Sequence, residues 1–468
     1  MAPLKADAVI ELVHDDLFPA WQKERDRLDG IDKWMRWHQE QVKVPRQSTS
    51  EMKYLAEISR TPWLGLVVTT VAQCMYVDNY LSQIEAEPQS GPWWTWMQNG
   101  FHQRQIAVHR AALGYGYAFV KVLPGEDFMG NPMSVMRGVS PRKMWAAYAD
   151  PAADDWPMWA MHVETQPGSK QSIRVYDEDY EYFLSSNLDG EKIEFVEYRE
   201  IGAGVPPIVR YTNQLDLDGR ADGEVEPYIG AAKRINKTAY DRLLAQHYNS
   251  WKVRTVAGMS KPDDEQEAER ARLLLRQQDL LVAEDPDTKF GTLDETPLQG
   301  FIESWRADVE ALAAVSQTPA HQLTGQLVNL SAEALAAARA ALTQKVYERQ
   351  QSFGKSHAQA LRLAALLQDD EQHATDVLGR VTWQDMEIRS MSQAVDALGK
   401  AAQMLEVPKV ALWTRIPGVE KSDVDEWKRM AAEDDPVERL ARTLDGQDSS
   451  ADQGGLDASA AGAADPAA

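Results

Sequence analysis

The stretch that most limits what this chain can fold into is Ser331–Gln368. Ala, Leu, Gln, Glu, Lys and Arg fill most of its positions, all good helix formers. Apolar residues recur at three- and four-residue steps through Leu335, Ala338, Leu342 and Val346, and again through Phe353, Ala360, Ala364 and Leu367. Ser331 suits an N-cap, and Glu333 and Glu348 precede Arg339 and Arg349 along the polar side. At 1.5 Å per residue, a helix of this extent is about 57 Å long, more than a compact domain ordinarily needs. It reads as a structural spine or a bundle member. The segment before it, SQTPAHQLTGQLVNL from Ser316 to Leu330, is turn-rich and contains no Asp, Glu, Lys or Arg.

A chain of 468 residues has room for two to four domains and a sizeable core. Lys and Arg number 49 against 72 Asp and Glu, a formal net charge of -23. Sequence-specific nucleic-acid binding needs a basic footprint, so this balance argues against it, though not against a protein that lets DNA pass without holding it. Cys74 is the one cysteine, which excludes an internal disulfide and a Cys-rich zinc site; beside Val71, Met75 and Val77 it reads as a small core hydrophobe. The start, MAPLKADAVIELVHDD, lacks the basic and apolar regions of a signal peptide. The longest apolar run, Leu64–Val71, is broken by Gly65 and two threonines and falls short of a membrane span. The expectation is a soluble protein of a reducing cytoplasm, with no membrane partner.

In chain order, residues 1 to about 120 read as helical. Thr61-Pro62 is expected to cap and open a buried helix, WLGLVVTTVAQCMYVDNYL. Trp93, Trp94 and Trp96 follow Gly91-Pro92; they suit a base-stacking platform, but without a basic cluster core or subunit-interface packing is the better reading. Between Tyr115 and Tyr211 the period becomes two, in short runs separated by Gly, Pro and Asp, which predicts an antiparallel sheet. Pro227–Asn249 and Leu298–Val315 read as helices around a small segment. That segment has a break at Trp251–Met259, a charged helix at Asp263–Arg276, a strand at Asp279–Ala283, and turns at Asp285-Pro286 and Phe290-Gly291. After the long helix come a short break and three more helices. From about Ala431 the composition is that of a disordered acidic tail.

The chemical motifs fail on inspection. Gly354-Lys355-Ser356 resembles the end of a phosphate loop, but Arg349 stands where its first glycine belongs and no strand precedes it. Gly114-Tyr115-Gly116 has Phe119 in place of the last glycine of a dinucleotide fingerprint, so a helix-to-strand turn is expected. Asp216, Asp218 and Asp222 suggest a calcium loop, yet Arg220 occupies a ligand position and Ile229 replaces the terminal acid; an exposed turn fits better. The nine histidines show no metal-ligand spacing, and no nucleophile elbow is present. The expectation is no enzyme, no cofactor and no metal.

Taken as an ordered set, Asn329-Leu330-Ser331-Ala332-Glu333-Ala334-Leu335, Lys345, Arg349-Gln350, Phe353-Gly354, Val381-Thr382-Trp383-Gln384-Asp385, Arg389-Ser390 and Asp241-Arg242-Leu243-Leu244 resemble the portal, or head-to-tail connector, proteins of tailed double-stranded-DNA bacteriophages, of the type found in phages of actinobacteria. The resemblance runs to about Met430. It implies an α+β, mainly helical fold. Residues 1–226 would form a wing with a helical and a β-rich part, 227–250 a stem helix, and 251–297 a small α/β clip. Residues 298–315 would be a second stem helix, 316–330 a tunnel loop, 331–368 the spine helix of the wing and 369–430 a helical crown, with 431–468 the acidic tail.

The resemblance further implies a homo-oligomeric ring, usually a dodecamer, at one capsid vertex, with double-stranded DNA running through it. Terminase would dock on the clip for packaging and a head-completion adaptor afterwards, with major capsid and scaffolding proteins as neighbours, in the host cytoplasm during assembly and in the virion thereafter. A fixed positive ring would pair with each passing phosphate and slow transit, whereas a neutral loop touches the duplex without trapping it. Pro319 and Gly325 would shape that loop, and Gln317, His321, Gln322, Gln326 and Asn329 would face DNA. Without the resemblance, the same composition reads as an ordinary surface loop. Arg270, Arg272 and Arg276 would meet acidic partner surfaces, a solvated helix face being the default reading. The alternative function is a cytosolic helical scaffold or adaptor without a channel; a nucleotide-dependent DNA enzyme is a third, disfavoured by the failed motifs.

Overall fold

The computed structural model describes residues 2–84, 90–168, 170–249, 254–257, 289–292, 297–325, 332–384, 391–413, 416, 419 and 421–434. Its first element is a broken helical rod: α1 (Ala6–Leu12), a π-helical turn at Val13–Leu17, and α2 (Phe18–Met35). Val9, Val13, Leu17, Phe18 and Trp21 make one apolar stripe, and the wider π turn keeps it in line. Farther along α2, Leu28, Ile31 and Trp34 enter a second and larger core. One helix thus ties two cores together.

Helix α3 (Ser50–Ile58) starts on Thr49, whose hydroxyl accepts the Met52 amide at 3.3 Å. Helix α4 (Trp63–Ala72) departs from expectation at both ends: the run was expected to stay helical through Leu81, but the helix stops at Ala72. Pro62 sits at the N-cap rather than inside the helix, because the Thr61 carbonyl is turned to accept the Trp63 amide and the Gln39 side chain. In α5 (Gly91–Gln98) Trp96 is fully buried and stacked on Trp93 at 5.8 Å, so these two pack as the absence of a basic cluster suggested, while Trp94 stays exposed.

Helix α6 (Phe101–Tyr115) ends at Gly116, whose φ of 101° only glycine adopts readily. The turn leads straight into a strand, as expected for Gly114-Tyr115-Gly116. The β region is antiparallel, but it forms two sheets rather than one. Strands β2 (Tyr117–Glu126), β3 (Pro132–Val139) and β9 (Ile208–Thr212) make one in the order β3-β2-β9. Strands β4 (Met144–Ala147), β5 (Trp159–Gln166), β6 (Lys170–Tyr176), β7 (Tyr180–Asn187) and β8 (Ile193–Glu200) form a sequential meander. Two-sided burial explains the split: Met161, Val163, Ile173, Val175, Tyr182 and Leu184 face α1 and α2, while Ala160 and Tyr176 pack with Phe119 and Ile208 of the other sheet.

A strand pair that local pattern does not reveal joins β1 (Val77–Leu81) to β12 (Arg380–Trp383). It corrects two readings, the all-helical start of the chain and the featureless break after the long helix. Helices α7 (Ile229–Asn249) and α8 (Gln299–Val315) stand as expected, packed on each other with Arg234 on Asp308 at 2.7 Å. Between them β10 (Arg254–Ala257) pairs with β11 (Lys289–Thr292), so Phe290-Gly291 is strand opposite Val256 and Thr255 and not a turn. The expected helix Asp263–Arg276, with Arg270, Arg272 and Arg276, and the strand Asp279–Ala283 lie outside the described residues.

After α8 come α9 (Ala320–Thr324) and the long helix, α10 (Ala332–Leu366), which crosses the three-stranded sheet and α5. At 1.5 Å per residue it is about 52 Å long. Among the described residues its buried stripe runs through Leu342, Val346, Phe353, Ala360, Leu361 and Ala364. Ala338, expected on that stripe, is exposed, whereas Leu342 one turn on is buried. Gly354-Lys355-Ser356 is plain helix: Lys355 pairs with Asp155 at 2.5 Å and the Ser356 hydroxyl donates to the Arg210 carbonyl at 2.9 Å. The Asp216 carboxylate accepts the Asp218 and Arg220 amides and the Arg220 guanidinium, giving the exposed turn expected there. Helices α11 (Glu371–Ala374), α12 (Met391–Met404), α13 (Lys409–Trp413) and α14 (Lys421–Asp434) complete the chain. The last runs past Ala431, where the tail was expected to begin; the remainder of that tail is outside the described residues.

Candidate functional site

The neutral segment begins as a helix cap. The Gln317 amide donates to Ala314 O at 3.3 Å and the Thr318 amide to Ala313 O at 3.0 Å, the two bonds of a Schellman ending for α8. That ending places one residue in the left-handed region. Here it is Gln317, with φ of 53°, where glycine is usual. Ser316, Thr318 and Pro319 are buried, and the Ser316 hydroxyl donates to Thr318 Oγ1 at 3.0 Å. The reversal turns Gln317 outward, exposed to solvent. A single helical turn, α9, follows; it buries Leu323 and is closed by Gly325 at φ of 67°. The segment read as one loop is therefore a buried cap and a short helix up to Gly325.

His321 and Gln322 lie half-buried on α9, and the Gln322 Oε1 atom is buried with no hydrogen-bond partner among the described residues. The structure brings Gln317, His321 and Gln322 together on one segment. Gln326 and Asn329 lie outside the described residues.

Beneath the cap sits a buried charge cluster. Lys345 Nζ lies 2.5 Å from Glu224 Oε2 and donates to the Ser316 carbonyl at 2.9 Å. Arg349, one turn along α10, places Nη2 3.2 Å from Glu224 Oε1, and Asn213 Nδ2 donates to the same oxygen at 3.2 Å. All three charged side chains are 4 % exposed or less. Burial pushes the Lys345 ammonium below the ordinary lysine value, with Glu224 pulling it back up. Glu224 reaches this position because its amide bonds to Leu113 O at 2.7 Å, at the end of α6, where Gly116 lets residues 221–223 approach closely.

Sequence reasoning singled out Lys345 and Arg349 for their resemblance and missed Glu224 altogether. The available signal was two cations at i and i+4, flanked by Leu342, Val346 and Phe353, on the apolar stripe of a helix. Charges in that position demand a buried partner. Chemically, the site offers amides, hydroxyls and one imidazole at its surface, with its cations withdrawn and paired below. Among the described residues no cluster of His, Cys, Asp and Glu suits a metal ion.

A neutral surface segment on a long helix, a helical pair around a small β-containing insertion and a two-sheet domain define a structural protein of the connector class. The family model for phage portal proteins, SPP1 Gp6-like, matches residues 17–437, and the chain belongs to that family. Among solved structures, an HK97-family phage portal protein from Corynebacterium diphtheriae matches with 12 % identity, covering 79 % of this chain and 99 % of that one, at a TM-score of 0.35. The comparison with curated proteins returns no match. Family membership makes the chain a non-enzymatic subunit of an oligomeric ring at a phage capsid vertex through which DNA passes. Among the described residues no helix is long and apolar enough to cross a membrane.

Proposed function

We propose that the segment 316–330 is the surface this portal presents to moving DNA. Gln317, His321, Gln322, Gln326 and Asn329 make the contacts. The observation that carries this reading is a charge-free segment lying over two cations, Lys345 and Arg349, that are both buried and both bonded to Glu224. A lysine or arginine exposed here in every subunit would exchange counterions with each phosphate it met, and binding would tighten with every added contact. Hydroxyls and amides hold no such charge, and the duplex slides past them.

In this reading twelve copies form the ring. Residues 1–226 and 331–368 make its wing, 227–250 and 298–315 its stem, 369–430 its crown and 431–468 an acidic tail. Residues 251–297 form the clip, where Arg270, Arg272 and Arg276 meet terminase during packaging. The head-completion adaptor takes the same end afterwards, and the channel serves as the exit in ejection. Assembly takes place in the host cytoplasm beside the major capsid and scaffolding proteins. A packaging assay with purified terminase tests the DNA contact. The double variant Gln322→Lys, Gln326→Lys is expected to form rings normally and to package several-fold less DNA, with a deficit that shrinks as salt is raised. Unchanged packaging would remove these side chains from the channel surface.

A further inference from the structure

We infer that Lys345 is the positioning residue of the neutral segment, holding it to the long helix, while Arg349 supplies the positive charge that Glu224 needs. The charge count is the starting point. One buried carboxylate faces two buried cations, although a single cation would balance it. Each extra buried charge carries a desolvation penalty, so a second cation calls for a bond that the first does not make. Lys345 makes that bond: its ammonium donates to Ser316 O at 2.9 Å. Among the described residues Arg349 has no hydrogen bond or ion pair to the segment. Its remaining charge contact is Glu348 Oε1 at 2.9 Å, on an exposed side chain, and its Nε has no hydrogen-bond partner among the described residues.

The chemistry of the two cations fits this division. An ammonium is compact and carries three donors, so it can bond a carboxylate and a carbonyl at once. A planar guanidinium suits Glu224 but does not reach across to the cap. Ser316 O belongs to the last turn of α8, where helix carbonyls lack intrahelical partners, and Ser316 is fully buried, so water does not replace the lysine. The remaining acceptor contact to Ser316 O, from the Thr318 hydroxyl, is long at 3.5 Å. Removing Lys345 therefore leaves an intact Glu224–Arg349 pair and a freed cap. Removing Arg349 leaves an intact Glu224–Lys345 pair and a held cap.

A force on the segment would then pass through this bond into the long helix. That consequence rests on the reading of the segment as the DNA-facing surface, whereas the anchoring does not. The test compares Lys345→Met with Arg349→Met in the full-length protein by amide hydrogen exchange, with packaging measured separately. Lys345→Met is expected to speed exchange at Ser316–Thr318 by about tenfold or more while the amides of Phe353–Leu363 stay protected, and Arg349→Met to change it by less than about twofold. Equal acceleration in both variants, or none in Lys345→Met, overturns the inference. Should the Lys345→Met chain not fold, the comparison passes to a milder variant. In that event Lys345→Gln, which keeps a donor for Glu224, is read the same way and must still loosen Ser316–Thr318. Loosening of the cap with unchanged packaging would uphold the anchor and count against the DNA-facing reading alone.

Discussion

His109 and His357 meet at 2.8 Å, Nε2 to Nε2, in a part of the core that exposes neither ring. The chain of bonds fixes both tautomers. Met75 O only accepts, so His109 Nδ1 donates to it at 3.0 Å and its Nε2 must accept. His357 Nε2 therefore donates, and its Nδ1 accepts the Tyr211 hydroxyl at 2.9 Å. Trp96, Phe101, Phe353 and Trp383 pack around the pair. This neutral relay joins α6, β9 and the long helix where sequence reading saw only scattered histidines.

Stability is expected to fall as pH drops from 7 to 5. Burial pushes His109 down to about 4, and burial together with its neighbour His109 drives His357 well below the ordinary range. A group depressed in the fold binds more protons when unfolded, so the unfolded chain gains from acid between about pH 6.5 and the folded value. For a histidine shifted to about 4 the loss between pH 7 and pH 5 is about 2 kcal/mol. Carboxylates with ordinary values near 4 take up protons mainly below that window. Urea unfolding at the two pH values measures it; equal or greater stability at pH 5 would contradict the buried neutral relay.

Gly116→Ala is expected to be severely destabilising, by about 3 kcal/mol or more. The backbone there sits at φ of 101°, and an added Cβ would collide with the Ala221 carbonyl oxygen. The loop segment that bears Glu224 would be pushed away, so the buried cluster should loosen as well. Thermal unfolding and exchange at Ser316–Thr318 report the two effects. A variant with wild-type stability would refute the close approach.

Gly354→Ala carries the opposite sign. An added Cβ would meet Trp383 Nε1 at 3.6 Å and Val381 at 3.7 Å, ordinary contact distances, and alanine favours an interior helical position by about 1 kcal/mol. Stability is expected to be unchanged or higher, with packaging retained. Marked loss of packaging without loss of stability would reopen the Gly354-Lys355-Ser356 triplet as a nucleotide loop.

Much of the helical framework was legible because its signals are local. The periodicity of Leu342, Val346 and Phe353 announces α10, and the runs that became α7, α8 and β2–β9 carry their own periods. What sequence reading missed depends on partners distant in the chain. The pairing of Tyr80 with Val381 leaves no trace in either neighbourhood, and the division into two sheets follows from β9 returning to β2. Neutrality of Ser316–Leu330 was readable directly from composition. Its Schellman cap was hidden, since Gln317 occupies the left-handed position without the usual glycine. Glu224 was invisible for a related reason: its burial is set by Gly116 and Leu113, which meet it only in the fold.

An electron-microscope reconstruction of the purified full-length protein tests the central claim most directly. The account predicts a closed ring whose central opening is duplex-wide, with residues 316–330 at its narrowest level and Gln317, His321 and Gln322 facing the opening. A ring that carries this segment on its outer surface, or buries it between subunits, would contradict the account.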